Sequence, residues 1–153
     1  TGMVNVSAAG DTITKTGGGT GAWDAGAVST QAIVSADGYL EFRANPGEYA
    51  FAGFSHGDSG VGWAGIDYAL YLYPTGSIAI YEKGVLREGV SATFIAGDTL
   101  RVSVEGGVVK YRKNGALIYT SSVVPVFPLS VDTALFRIGA SIQQAVVSGN
   151  LVR

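Results

Sequence analysis

The sequence predicts an all-β chain folded as a two-sheet antiparallel β-sandwich of about a dozen short strands, with little or no helix. Three observations predict it. The stretch Gly97 to Gly115, GDTLRVSVEGGVVKYRKNG, alternates Leu100, Val102 and Val104 with Arg101, Ser103 and Glu105. After Gly106-Gly107 it alternates Val109 and Tyr111 with Lys110 and Arg112, the period-two pattern of a β-hairpin. Second, the composition is 47% hydrophobic and 14% charged with 23 glycines, the profile of many strands joined by tight turns. Third, turn signals recur roughly every 8 to 12 residues, and no helical period outlasts one turn.

The elements follow in order. Val4 and Val6 alternate with Asn5 and Ser7, Ala9-Gly10-Asp11 turns, and Thr12 to Lys15 returns, an opening hairpin expected at a sheet edge. Gly17 to Gly21 (GGGTG) forms a loop that delivers Trp23 and Asp24. A glycine cluster cradles phosphate when it opens a helix, and no helix follows here, so phosphate binding is disfavoured. Thr30 to Val34 and Tyr39 to Arg43 are expected as two strands around an Ala36-Asp37-Gly38 turn, and Asn45-Pro46-Gly47 ends the second. Tyr49 to Phe54 is the next strand, followed by the polar, glycine-rich loop Ser55 to Gly65 with the sole histidine, His56, and Trp63.

Ile66 to Tyr73 puts Ile66, Tyr68, Leu70 and Leu72 on one face and Asp67, Ala69, Tyr71 and Tyr73 on the other. Both faces are apolar or aromatic, which predicts a central strand covered on two sides or lining a groove. Ser77 to Glu82, Val85 to Val90 and Ala92 to Ile95 lead into the Gly97 hairpin, and Asn114-Gly115 turns into Ala116 to Tyr119. Pro125 and Pro128 mark Ser121 to Pro128 as an irregular crossing between sheets. Leu135 to Gly139 and Gln143 to Val152 complete the strands.

At 153 residues the chain is read as one β-sandwich domain, 1–153, long enough to bury a core without cross-links. It begins at Thr1 with neither a charged nor an apolar leader region, which suggests a domain excised from a larger protein. The net charge is −2 and the ten basic residues form no basic stripe, which argues against nucleic acid. Apolar runs are strand-length, so no membrane insertion is expected. With no cysteine, disulfides and thiol chemistry are excluded.

The Gly97 stretch also carries a likeness. Gly97-Asp98, the Leu100 to Val104 strand, the glycine turn and Val109-Lys110-Tyr111-Arg112-Lys113-Asn114-Gly115 resemble the signature near the end of SPRY and related concanavalin A-like sandwich domains. More loosely, the order of Trp23-Asp24, Gly38 to Phe42, Ile66 to Tyr68 and this hairpin is similar to sandwich modules of bacterial secreted or surface proteins. The resemblance implies a jelly roll, a binding role and a secreted or cell-surface location. Each residue of the hairpin also has a packing or turn role of its own: Tyr111 in the core beside Val109, Asn114 and Gly115 in the turn, Lys113 in water.

Four kinds of chemistry bear on the residues. A sandwich-fold glycosidase or polysaccharide lyase needs two carboxyl groups across a cleft, and Glu41, Glu82 and Glu105 sit at alternating positions that could share one sheet surface. The simpler reading pairs them with Arg43, Lys110 or Arg112. His56 neighbours Ser55 and Ser59, but a hydrolase triad is rarely built from sequence neighbours and no nucleophile elbow is present. Asp24, Asp58 and Asp132 leave a structural calcium open, without an Asp-rich loop to support it, and no other cofactor is implied. Sugar rings present apolar C–H faces and polar edges, so a lectin-like site combines Trp or Tyr platforms with polar groups. Trp63 and Trp23, with Asp58, His56, Tyr71 and Tyr73, are therefore the expected ligand-binding residues, and Tyr81 a further candidate. The expected function is a non-catalytic module that binds carbohydrate or a cell-surface glycan. The alternative is a structural or protein-interaction module that engages a protein or neighbouring domain.

Overall fold

In the computed structural model, which describes residues 2–43, 45–57 and 60–153, twelve strands follow one another. They are β1 (Val6–Ala9), β2 (Thr12–Lys15), β3 (Val28–Arg43), β4 (Ala50–Ser55), β5 (Tyr68–Leu72), β6 (Ser77–Glu82), β7 (Val85–Thr93), β8 (Thr99–Glu105), β9 (Val108–Lys113), β10 (Ala116–Thr120), β11 (Leu129–Leu135) and β12 (Ser141–Val152). A single 3-10 turn, Trp63–Gly65, is the only helical element among the described residues. The chain is therefore the all-β sandwich that its pattern predicts.

Pairing runs β1-β2-β12-β3-β11-β4-β5-β6-β7, while β3 also pairs β8, which carries β9 and β10. The long β3 joins the layers. Its first part pairs β11 (Leu129↔Ile33) and its second part pairs β8 from Gly38↔Val104 to Arg43↔Thr99. One layer is β12-β3-β8-β9-β10 and the other is β11-β4-β5-β6-β7. Between them lies the main core, to which β8 contributes Leu100, Val102 and Val104 and β5 contributes Tyr68, Leu70 and Leu72. Burying a side chain of this size stabilises the fold by roughly 1.5–3 kcal/mol. Tyr111 of β9 is fully buried as its alternation predicts, and its hydroxyl donates across the core to Glu82 Oε2 of β6 at 2.9 Å.

The β8-β9-β10 meander forms where the sequence placed it. Gly106 (φ 59) and Gly107 (φ 81) make the first turn, and Asn114 (φ 49) and Gly115 (φ 84) make the second, all in the left-handed region that two-residue hairpin turns require. Lys113 does not simply point to water, because its Nζ donates to Thr93 O at 2.7 Å.

Three local expectations are corrected. Ala36-Asp37-Gly38 is not a reversal: β3 runs straight through it, with Ala36 at φ 61. The reason is non-local. Strand β12 lies alongside both halves, pairing Gly149↔Gly38 and Asn150↔Ser35 with a register shift between them. A Cβ on Gly38 would come within 2.7 Å of both Ile33 Cδ1 and Ser148 O, so glycine lets two strands bend together. Asp37 in turn accepts from Gly106 N at 2.9 Å, tying the bend to the hairpin. Likewise Val85 to Thr93 is one strand rather than two, passing through Gly89 at φ 81. The strand expected at Leu135 to Gly139 lies instead at Leu129–Leu135, directly after the Ser121 to Pro128 crossing, and Arg137 to Ala140 is a turn closed by Ala140 N donating to Arg137 O at 3.0 Å.

Candidate binding face on the outer layer

Strands β4, β5 and β6 bury one face in the main core, so their alternate residues point outward. Those residues are aromatic or small. Phe51 of β4 is paired with Tyr71 of β5, and the two rings stack at 4.0 Å and 9°. Ala69, opposite Tyr81, and Ala134 lie among them. Small residues leave room for rings to lie on the sheet, and a second apolar cluster forms there, apart from the main core.

Two loops complete the layer. Trp63, on its 3-10 turn, stacks on Phe51 at 5.1 Å and 7° and meets Tyr81 edge-on at 5.3 Å. Trp23 approaches from the opposite side, edge-on to Phe51 at 5.1 Å and 4.9 Å from Phe136. Tyr73 follows the end of β5, 4.2 Å from Tyr71, and Tyr49 lies 6.0 Å from Tyr73. Trp23, Tyr49, Tyr71, Tyr73, Phe136 and Arg137 surround a shallow dish of about 440 Å³ open to solvent. Its rings are half-buried, packed enough to be held and exposed enough to touch a ligand.

The dish rests on a buried cation. Lys15, the last residue of β2, is fully buried. Its Nζ donates to Ala22 O at 2.8 Å, to Phe136 O at 2.8 Å and to Asp24 Oδ1 at 2.6 Å. Three acceptors saturate an ammonium and meet the condition under which a lysine can be buried. One amine thus ties together the two segments that supply Trp23 and Phe136. The glycine loop has a matching role, since Gly19 N donates to Asp24 Oδ2 at 2.8 Å. That hydrogen bond, followed by the one from Lys15, holds the Asp24 carboxyl below the usual carboxylate range. The loop cradles an internal carboxylate rather than a phosphate.

Burial, and then the neighbouring phenols Tyr73, Tyr49 and Tyr81, push the Tyr71 hydroxyl up to about 12, and burial with Tyr81 raises that of Tyr73. The phenols therefore stay protonated donors throughout the neutral range. A group whose pKa rises on folding stabilises the native state below its unfolded value, near 10, and loses that contribution as the pH climbs toward 12. Tyrosinate absorbance of the native protein is accordingly expected to lack the Tyr71 contribution at pH 11, and Tyr71→Phe should leave the absorbance change between pH 9 and 11 unaltered. A smaller change in that variant would contradict the placement of Tyr71.

Of the residues expected from sequence, Trp23, Tyr71 and Tyr73 meet in the dish. Trp63 shares the aromatic layer but lies beyond Phe51, outside the dish lining. His56 is elsewhere, in a small cleft with Asp67, Glu82 and Arg87. There its backbone N donates to Asp67 Oδ2 at 2.9 Å, and its Nδ1 lies 3.1 Å from Pro128 O. Asp58 lies outside the described residues, as does Ser59. The sequence reading missed Tyr49, Phe51, Phe136 and Arg137. The first two were detectable, because Ala50, Ala52 and Phe54 face the main core and alternation turns Tyr49 and Phe51 outward.

Glu41 and Glu105 share one sheet surface, as expected, lining a depression with Arg101, Ser103 and Arg112, whereas Glu82 lies apart from them. Glu82 points into the core region, 2% exposed, bound by Tyr111 and by Arg87 Nε at 2.9 Å. Glu41 and Glu105 lie on the outside of the other layer, each held by an arginine: Glu41 Oε2 accepts from Nε and Nη2 of Arg101 at 2.8 and 2.6 Å, and both oxygens of Glu105 accept from Arg112 at 2.9 Å. The Arg112 hydrogen bonds, then that of Ser103, hold the Glu105 carboxyl near 2. Ser55 is buried and donates to Asp132 Oδ2 at 2.8 Å, so its hydroxyl is turned away from any triad with His56. Asp24 and Asp132 are held by these separate partners, and no group of three or more metal-ligating side chains occurs among the described residues.

No family model matches the chain, and no curated protein sequence matches it. Solved structures do resemble it. A human SPRY domain superimposes with a TM-score of 0.71 at 13% identity, over 94% of this chain and 96% of that one. The carbohydrate recognition domain of Emp46p in its metal-free form does so at 0.60 and 10% identity, over 94% and 85%. A Bacillus licheniformis β-glucanase follows at 0.52 and 14%, over 80% and 69%. The fold is thus SPRY-like and concanavalin A-like, and it is shared by binding domains and by enzymes.

Proposed function

We propose that this SPRY-like sandwich is a non-catalytic carbohydrate-binding module, and that sugar rings settle in the dish formed by Trp23, Tyr49, Tyr71, Tyr73 and Phe136. One observation carries the reading: half-exposed rings and protonated phenols converge on the outside of a sheet whose other face already closes the core. A core needs no second aromatic layer with an open depression in it, whereas a pyranose offers C–H faces for the rings and hydroxyls for the phenols. The dish is sized for one or two sugar units. The paired state of Glu41 and Glu105 and the inward position of Glu82 favour binding without hydrolysis. The likeness to a carbohydrate recognition domain agrees with this reading, and the expected setting is outside the cell or at its surface.

Binding to an array of immobilised oligosaccharides tests it. Wild-type protein should select a restricted set of glycans. Tyr73→Ala, at the rim, should weaken their binding about tenfold, the loss of roughly one good aromatic contact. Tyr73→Phe separates the ring from its hydroxyl. Absence of any bound glycan, or equal binding by Tyr73→Ala, would reject the assignment.

A further inference from the structure

We infer that the dish selects acidic sugars, rings bearing a carboxylate or sulfate group, and that Arg137 is the residue that reads the charge. This rests on the carbohydrate reading above and narrows it.

Arg137 is the one charged side chain in the lining, and the rest of the dish is neutral aromatic surface. Its side chain is 57% exposed, and its nearest ionic partner is Glu48, with Nε 4.0 Å from Oε2. That separation is beyond hydrogen-bond reach, and Glu48 Oε2 indeed has no hydrogen-bond partner. Among the described residues no acceptor takes any guanidinium N–H of Arg137. The arginines of the strands differ: Arg101 makes two hydrogen bonds to Glu41 Oε2, Arg112 takes both oxygens of Glu105, Arg87 donates to Glu82, and Arg43 donates to Gly97 O at 2.9 Å. The second cation near the dish, Lys15, is saturated beneath it and presents nothing to solvent.

A free guanidinium fork beside aromatic platforms matches an oxyanion on a sugar ring, because it offers two parallel N–H donors to two oxygens. Glu48 tempers the attraction without removing it: its Oε2 is buried and 4.0 Å from Nε, so it makes no hydrogen bond to the guanidinium, which stays 57% exposed. The phenols of Tyr71 and Tyr73 remain protonated, so they add no negative charge that would repel the anion.

The test uses an array carrying neutral, uronic acid-containing and sulfated oligosaccharides of matched length, probed with wild type, Arg137→Gln and Tyr73→Ala at low and moderate salt. The strongest signals should fall on the acidic members, drop when uronate carboxyls are converted to methyl esters, and weaken as salt rises. Arg137→Gln should lose at least about tenfold on acidic glycans, the scale of a charge-assisted pair, and change little on neutral ones. The uronate and sulfate members tell the two anion sources apart. Preferential binding of neutral glycans, or an Arg137→Gln profile identical to wild type while Tyr73→Ala loses binding, overturns the charge inference and leaves the carbohydrate assignment standing. No binding to any member rejects both.

Discussion

Lys15→Met is expected to lower the thermal midpoint by about 6–12 °C, because two main-chain carbonyls lose their donor at a combined cost of about 3 kcal/mol. Methionine keeps the apolar stem, so the deficit isolates the ammonium group. The effect should extend beyond stability. Ala22 O and Phe136 O both bond Lys15 Nζ at 2.8 Å, and without it the segments bearing Trp23 and Phe136 are no longer tied to each other. Tryptophan fluorescence should then report increased solvent contact, and glycan binding should fall with it. Asp24→Asn keeps the lysine and both carbonyl bonds, so it should be milder on both counts. Differential scanning calorimetry and fluorescence of the three proteins decide the matter, and an unchanged midpoint for Lys15→Met would remove the clamp from the description.

Gly53→Ala is expected to abolish soluble folded protein or cost at least about 4 kcal/mol. Gly53 faces Ala69 where β4 and β5 run side by side. A Cβ there would fall 1.7 Å from Tyr68 O and 2.7 Å from Tyr68 C, and both are main-chain atoms that no rotamer change can move. The strands would have to separate, which would break the sheet that supports Phe51 and Tyr71. Gly62→Ala is the control, since nothing lies within 4 Å of its Cβ position and its φ is ordinary. It should fold with near wild-type stability by urea denaturation. Similar stabilities for the two variants would mean that β4 and β5 are not packed as described.

What the sequence revealed followed how local each determinant is. The β8-β9-β10 meander was legible because alternation and two glycine or Asn-Gly turns fix it within a short span. Ala36-Asp37-Gly38 has turn composition, but pairing with β12, over a hundred residues later in the chain, and with β8 at Gly38 keeps β3 extended through it. Tyr71 and Tyr73 stood out because both faces of their strand are apolar. Trp63 and His56 shared a loop in sequence, but the chain turns between them, sending the indole to Phe51 and the imidazole toward Pro128. Phe136 escaped because it follows directly on β11, while the pattern put it inside a strand at Leu135 to Gly139 rather than in the segment after one. Lys15 looked like an ordinary polar residue at a strand end, since nothing near it in sequence announces burial under a loop and a distant turn.

The two tryptophans allow the most direct test of where a sugar sits. Indole N–H resonances of Trp23 and Trp63 can be followed in a nitrogen-15 spectrum during titration with the oligosaccharide that binds most strongly on the array. Contact at the dish predicts a large shift of the Trp23 signal, a small one for Trp63, and a midpoint about tenfold higher for both in Tyr73→Ala. A titration that moves Trp63 and the His56 ring while leaving Trp23 in place would put the ligand on the Ser55 to Gly65 side and contradict the assignment.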